Sequence, residues 1–416
     1  MIKPQKQKNR QPGHSLDFSH LDKVSGTMDS FTLKPLPKIE FGLDSINNLP
    51  EHIKELGRSV LLLTGADSLK HYGNRDLVLS LLDERHLDIS LVEVSHEPSP
   101  QLIDSIVQQH TAQKIDVVTA IGGGSVVDAG KAVSAMLPHG EAVKQYLEGV
   151  GSRRPTGEKI PFIAIPTTAG TGSEATSNAV ISQSGKDGFK KSLRHDRYIP
   201  DLALIDPLLM RSCPPEITAA CGMDTFSQLV EAYLSTKSSH VTDAIAWKGI
   251  KSVHQSLFRV YQEPEDIYGR SQMALASLCS GIVLMNAGLG IVHGLAPALG
   301  CLFPISHGAV CGTLMAAAND ITLSKLEVEQ QNNEALLKYT KLGKLCSAKA
   351  DKSDEYYRKS FIEYLHSLTR TLKLPKLAQF NVRTADLGEI AAASSNKNNP
   401  AALTHEEMLT ILENRL

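Results

Sequence analysis

Five short, nearly continuous apolar runs, each closed by a small or turn-forming residue, narrow what this chain can fold into more than any other feature. They are "SVLLLTG" (59–65), "DISLVEVS" (88–95), "DVVTAIGGGS" (116–125), "FIAIPTT" (162–168) and "LALID" (202–206). Runs without polar alternation belong to strands covered on both faces, as in a parallel sheet. Between them lie segments such as "PQLIDSIVQQHTAQK" (100–114), with apolar residues at helical spacing. A βαβ succession of this kind predicts an α/β, doubly wound, Rossmann-like domain over residues 31–207.

After Pro207 the pattern changes. "PPEITAACGMDTFSQLVEAYLS", "VTDAIAWKGIKSVHQSLFRVYQ", "GRSQMALASLCSGIVLMN", "HGAVCGTLMAAANDIT" and later stretches through His405 to Leu412 all carry a helical period, broken by Gly and Pro. Residues 208–416 are therefore expected to form an all-α domain. The opening stretch, residues 1–30, is polar and basic with too few apolar residues to offset the entropy of ordering, and is expected as a flexible tail with Met28 as an alternative start.

Two domains suit a chain of 416 residues. A net charge of −2 with interspersed signs gives no reason to expect nucleic acid or an anionic membrane as partner. No apolar run is long enough to span a bilayer, and none follows the basic N-terminus as a secretory signal would require. Six cysteines without a CxxC pair read as reduced thiols filling the core of a cytoplasmic protein. Small-molecule chemistry is what remains.

Two loops carry its first signal. In "AIGGGSVVDAGKA" (120–132) a buried strand runs into three glycines, Gly122, Gly123 and Gly124, then Ser125 and a helix, so that backbone N–H groups and a helix N-terminus face an anion. In "IPTTAGTGSEATS" (165–177) a second strand ends in Thr167, Thr168, Thr171 and Ser173, short hydroxyls suited to a ribose or phosphate. Either loop alone also reads as a tight turn. Two at the carboxyl ends of strands in one sheet stand where open α/β sheets bind ligands.

The helical half adds a second cluster. "GMDTFSQLVEAYLS" (222–235) places Asp224 and Gln228 one turn apart on one helix face, a spacing that holds a metal from one side. His293 and His307 lie in "NAGLGIVHGLAPALGCLFPISHGAV" (286–310), where poorly solvated imidazoles need a metal or a buried hydrogen bond. A lone His of this kind is usually a satisfied core residue, and a Gln in a helix usually a surface one. Two His downstream of an acid and amide pair favour a metal site.

Taken in order and spacing, "GGGSVVDAGKA", "PTTAGTGSEAT", "DPLLMRSCPPEITAACGMD" and "GLGIVHG" with "SHG" resemble the iron-containing alcohol dehydrogenase family, whose fold is shared with dehydroquinate synthase. The resemblance implies a nucleotide-binding domain, a helical metal-binding domain and a cleft where a nicotinamide meets the metal. It implies that Gly122, Gly123, Gly124 and Ser125 face the pyrophosphate, and that Asp128 lies beside the cofactor. Thr167, Thr168 and Thr171 would line it, and Lys190 would approach the nicotinamide. The metal ligands would fall on Asp224, Gln228, His293 and His307, with Fe(II) as the ion and Zn(II) or Mn(II) as alternatives. A homodimer or larger homo-oligomer is implied as well.

Three positions depart from the family pattern. Gln228 and Pro297 stand where many members have His, the second of these a candidate proton relay. Gly65, at the end of the first strand run, replaces an Asp common in NAD-preferring relatives, and so removes the repulsion of a 2′-phosphate. The expected activity is reversible hydride transfer between a small alcohol or aldehyde and NAD or NADP, with Asp224, His293, His307 and Lys190 at the reacting centre. A dehydroquinate synthase-like lyase would need Lys and Arg for its anionic substrate, and residues 286–310 have none. A nucleotide-binding homologue without metal or dehydrogenase activity is the other alternative, motivated by Gln228 and Pro297.

Overall fold

The computed structural model describes residues 30–416 apart from 67, 68, 70–73, 184, 186, 187 and 331. The expected tail and the alternative start at Met28 fall, but for Ser30, outside the described residues. Residues 33–416 make one unit. Its strands are β1 (Lys38–Phe41), β2 (Ser59–Gly65), β3 (Asp88–Val94), β4 (Val117–Gly122), β5 (Phe162–Pro166), β6 (Asn178–Gln183), β7 (Phe189–Arg194) and β8 (Leu202–Ile205). Its first four helices are α1 (Leu49–Leu56), α2 (Asn74–Asp83), α3 (Pro100–His110) and α4 (Gly124–Met136). Then follow α5 (Pro215–Leu234), α6 (His240–Gln262), α7 (Ile267–Ala287), α8 (Val292–Leu302), α9 (His307–Glu329), α10 (Asn333–Cys346), α11 (Asp354–Thr371), α12 (Leu387–Ala392) and α13 (His405–Glu413).

Six strands form one sheet in the order β1-β8-β5-β4-β2-β3, every pair parallel. The side chains of β2 show why its apolar run has no polar alternation. Val60 and Leu62 enter one core with Leu49 and Ile53 of α1 and Val78 and Leu82 of α2. Leu61 and Leu63 enter another with Ile103 and Val107 of α3 and Val127 and Val133 of α4. The sheet is thus covered on both faces, the α/β arrangement expected.

Two pieces of β structure escaped the sequence pattern. Strand β1, "KIEF", is an edge strand paired only with β8 among the described residues. Strands β6 and β7 form a separate antiparallel ribbon. After β8 the described chain is helical, around a core that includes Phe226, Leu229 and Val230 of α5, Val253 of α6, Val283 of α7, Leu295 of α8 and Leu314 of α9.

The two halves of this unit meet tightly at one loop. Gly172 has φ +63°, and a Cβ there would stand 2.4 Å from the Gly281 backbone nitrogen of α7, so neither the conformation nor the space admits a side chain. The Thr225 hydroxyl of α5 donates to the carbonyls of Gly170, at 2.8 Å, and Ala169. The Thr-rich loop is thereby fixed to the residue beside Asp224.

Candidate active site

The glycine loop and the threonine loop lie side by side at the carboxyl edge of the sheet. Gly122 pairs with Pro166, and the Thr167 N–H donates to the Gly122 carbonyl at 2.9 Å. Gly123 caps α4, whose first helical residue is Gly124. The three glycines are not equivalent. A Cβ on Gly122 would strike Val126 and one on Gly124 would strike Thr171, whereas one on Gly123 would meet the Thr168 side chain only at 3.5 Å. A side chain is thus excluded at Gly122 and Gly124, whereas Gly123 admits one in ordinary contact with Thr168; of the three, Gly124 lines the neighbouring cleft.

Gly124, Ser125, Asp128, Thr171, Ser173 and Lys190 all line one cleft of about 460 Å³, together with Gln228, His293, Pro297 and His307. Residues from both expected site clusters thus share one space. Gly65 ends β2 next to β4, where Thr64 pairs with Ile121, but it is not among the residues lining that space. Lys190, on β7, holds Glu97 with Nζ at 2.8 and 2.9 Å from its two carboxylate oxygens. Lys191, Arg194 and Lys397 also face the cleft, so basic groups come from segments other than 286–310, and Arg194 is paired with Glu148.

Behind the glycine loop sits a buried polar knot. Asp128 accepts the Ser173 hydroxyl and the Val180 N–H. Lys131, only 2% exposed, donates to the carbonyls of Ser173 and Asn178, both at 2.8 Å, and to the hydroxyls of Ser173 and Thr176. Burial pulls its pKa down to about 8 and pushes that of the neighbouring Glu174 up to about 7. Asp128 and Ser173, expected against the cofactor, are bonded to one another.

The second cluster forms where α5, α8 and α9 converge. Asp224, 1% exposed, lies on α5, His293 is the second residue of α8 and His307 the first of α9. The Nε2 atoms of the two imidazoles stand 3.2 and 3.8 Å from the same Asp224 oxygen, Oδ1. Gln228 donates from Nε2 to Asp224 Oδ2 at 3.2 Å, and its Oε1 is buried without a hydrogen-bond partner.

Two further residues complete the cluster, neither singled out by sequence. Glu231, one turn beyond Gln228, accepts the Val292 N–H and Nδ1 of His293, both at 2.6 Å. Cys311, one turn beyond His307 on α9, places Sγ 3.6 Å from His293 Nε2 and 3.7 Å from His307 Nε2. Cys311 is a free, buried thiol within the helical core, as expected, and it also faces both imidazoles. The acid within the apolar run "QLVEAYL" was the available signal for Glu231.

Electrostatics set these groups up for a cation. Burial drives the His307 pKa down to about 4, leaving a neutral imidazole. Burial opposes charge on His293 too, but Cys311, Glu231 and the hydrogen bond to Asp224 outweigh it and raise its pKa well above the ordinary value. Burial likewise opposes the Asp224 carboxylate, and the two imidazoles reverse the effect and lower its pKa. With its pKa raised, His293 donates Nδ1–H to Glu231 and Nε2–H to Asp224 Oδ1; loss of that Nε2 proton would leave His293 Nε2, His307 Nε2 and Asp224 Oδ1 as three electron-pair donors around one point. The orphaned Gln228 Oε1 stands on the residue bonded to that same carboxylate. A divalent metal fits this donor set, and Glu231 is the outer carboxylate that commonly orients a metal-binding histidine.

Comparison with known proteins gives the same assignment. The family model for "Iron-containing alcohol dehydrogenase" matches residues 37–207, and that for "Fe-containing alcohol dehydrogenase family, C-terminal" matches residues 218–416. Alcohol dehydrogenase 4 of Saccharomyces cerevisiae is 29% identical over 394 residues, covering 93% of this chain and 99% of that protein. Long-chain-alcohol dehydrogenase 1 of Geobacillus thermodenitrificans is 34% identical over 273 residues, covering 65% of this chain and 68% of the relative. Among solved structures, a 1,3-propanediol oxidoreductase superposes with a TM-score of 0.83 at 26% identity, over 93% of this chain and 100% of the other. Sequence, fold and site agree that this chain is an oxidoreductase of the iron-containing alcohol dehydrogenase family.

Proposed function

We propose that the chain interconverts small alcohols and aldehydes with either NAD or NADP as partner, using a divalent metal held by Asp224, Gln228, His293 and His307. The observation that carries this reading is the convergence of Asp224, His293 and His307 on one point, beside the orphaned Gln228 Oε1, at the cleft that Gly124 and Ser125 also line. When bound, the ion supplies a Lewis acid that lowers an alcohol's pKa or polarises a carbonyl. The nicotinamide supplies the hydride acceptor or donor. Fe(II) is the first candidate ion, with Zn(II) and Mn(II) as alternatives.

The chain's own residues do the positioning. Glu231 fixes the ring of His293, and His307 keeps a free electron pair because burial holds it neutral. Gly123 leaves the space for the pyrophosphate, with Ser125 and Thr171 beside it. Leu284, Leu289 and Pro297 give an apolar wall for a short alkyl chain. Pro297 in that wall offers no imidazole to take the alcohol's proton, which leaves by the cofactor ribose, by water or through Lys190. Gly65 carries no acid to repel a 2′-phosphate, which supports use of NADP.

We assign the protein to the cytoplasm and to a homodimer or larger. Among the described residues no single helix is long and apolar enough to cross a membrane. Leu33, Leu36, Ile39, Phe41 and Leu43 are all exposed along and beside the edge strand β1, a surface suited to a second copy.

The test is dialysis against a chelator, followed by alcohol oxidation assays with NAD and NADP. Activity is expected to fall and to return with added divalent metal. Full activity in protein shown to hold no metal would sink the reading.

A further inference from the structure

Cys311 is the one member of the metal-facing cluster that the reading above leaves without a role. It lies at the bottom of the cluster: Gln228, His293 and His307 line the cleft, whereas Asp224 and Cys311 stand behind them, Cys311 with no exposed surface. One donor atom each from Asp224, His293, His307 and Cys311 lies within 4.8 Å of the others. No other group of three or more His, Cys, Asp or Glu with this property occurs among the described residues.

The separations are those of ligands around one ion. Bonds of about 2.0–2.1 Å to nitrogen or oxygen and about 2.3 Å to sulfur place neighbouring donors of a tetrahedral ion roughly 3.3–3.6 Å apart. The corresponding distances here are 3.2 and 3.8 Å from Asp224 Oδ1 to the two imidazoles and 3.6 and 3.7 Å from the sulfur to the same nitrogens.

Resting on the metal reading above, we propose that the Cys311 thiolate is a further ligand of the metal, binding it from the buried side of the site. On metal binding Cys311 releases its proton to solvent, as a coordinating thiol does, and the sulfur electron pair forms the new bond. A second anionic donor brings the charge of a divalent ion with Asp224 and Cys311 to zero. It also offsets the weak amide donor Gln228 and softens the site toward Zn(II) relative to Fe(II) or Mn(II). Gln228 and the substrate, on the cleft side, would then bind by expanding the coordination beyond four.

The test uses the full-length protein loaded with Co(II), whose spectrum reports thiolate ligation. The parent is expected to bind one Co(II) per chain with an intense near-ultraviolet thiolate-to-cobalt charge-transfer band. Cys311→Ser should still bind Co(II), lack the band, and hold Zn(II) about ten- to a hundredfold more weakly. Cobalt bound by the parent without the band, or a band that persists in Cys311→Ser, overturns the inference and leaves the metal site standing. A parent that binds no cobalt overturns the metal site, and the inference with it. The parent spectrum decides the matter even where the variant does not fold.

Discussion

Two buried polar clusters flank the cleft, and they differ in how their hydrogen bonds close. In the knot behind the glycine loop, Lys131 has four acceptors and Asp128 has two donors. In the cluster between α5, α8 and α9, Asp224 is bonded to His293 and Gln228, but Gln228 Oε1 and His307 Nδ1 are buried without a partner. Both contain carboxylates and cations with perturbed pKa values, so perturbation alone does not separate them. What does is satisfaction: a closed network holds structure together, and an open one is waiting for a charge.

The largest effect on stability is therefore expected from the closed cluster. Lys131→Met keeps the volume but leaves the Asp128 carboxylate and two carbonyls without their cation, at a cost of about 3–5 kcal/mol. Urea denaturation should show the loss, with metal content per folded molecule unchanged. Asp224→Ala should cost the metal-free protein less, about 1–3 kcal/mol for the His293 and Gln228 donors left unpaired, while metal retention and alcohol oxidation fall at least about a hundredfold. If both variants lose stability and metal together, the two clusters are not distinct in kind.

A smaller effect belongs to Glu174, the member of the closed cluster held out of its ordinary ionisation. Its pKa is raised by burial from 4.5 to about 7. Below the lower value both folded and unfolded chains carry the proton. As pH rises through that window the unfolded chain ionises first, so stability is lost up to about pH 7 and is level above it. At 1.36 kcal/mol per unit the full loss is about 3 kcal/mol. Glu174→Gln resembles the protonated carboxyl and cannot ionise, so it should gain on the parent between pH 5 and pH 8. Parallel denaturation midpoints at the two pH values would show that the carboxyl does not titrate there.

How much of this was legible in the sequence follows from the same distinction. The central strands announced themselves because a parallel sheet needs apolar residues on both faces, and β2 ends at Gly65 as its run predicted. The edge strand β1 and the β6–β7 ribbon did not, since "KIEF" and "FKKSLR" keep polar residues that an open edge tolerates. Strand β3, read as buried on both faces, is instead the far edge strand, with only Val94 buried. Asp224, Gln228, His293 and His307 could be collected by residue type and motif, and the structure brings them together. Glu231 and Cys311 were missed because their roles depend on the crossing of three helices. On α9 alone, the spacing of His307 and Cys311 is indistinguishable from core packing. Asp128 and Ser173 both line the cleft, yet their mutual hydrogen bond is a tertiary fact that no motif carries.

The smallest effect sharpens the open cluster at its weakest donor. The Gln228 oxygen is neutral, like an imidazole nitrogen, so the charge of the site does not depend on which of the two stands there. An amide oxygen is nonetheless a harder and weaker donor toward first-row metals than imidazole. Gln228→His gives up the 3.2 Å hydrogen bond to Asp224 Oδ2 and gains a nitrogen donor on the same helix face. The gain should prevail, tightening metal binding by about one to two orders of magnitude, whereas Gln228→Ala should loosen it. Competition against a chromogenic chelator measures both. Gln228 Oε1 is a buried acceptor without a hydrogen-bond partner. Should neither substitution move the metal affinity, that oxygen does not face the ion, and the open cluster comes down to Asp224, the two histidines and the sulfur behind them.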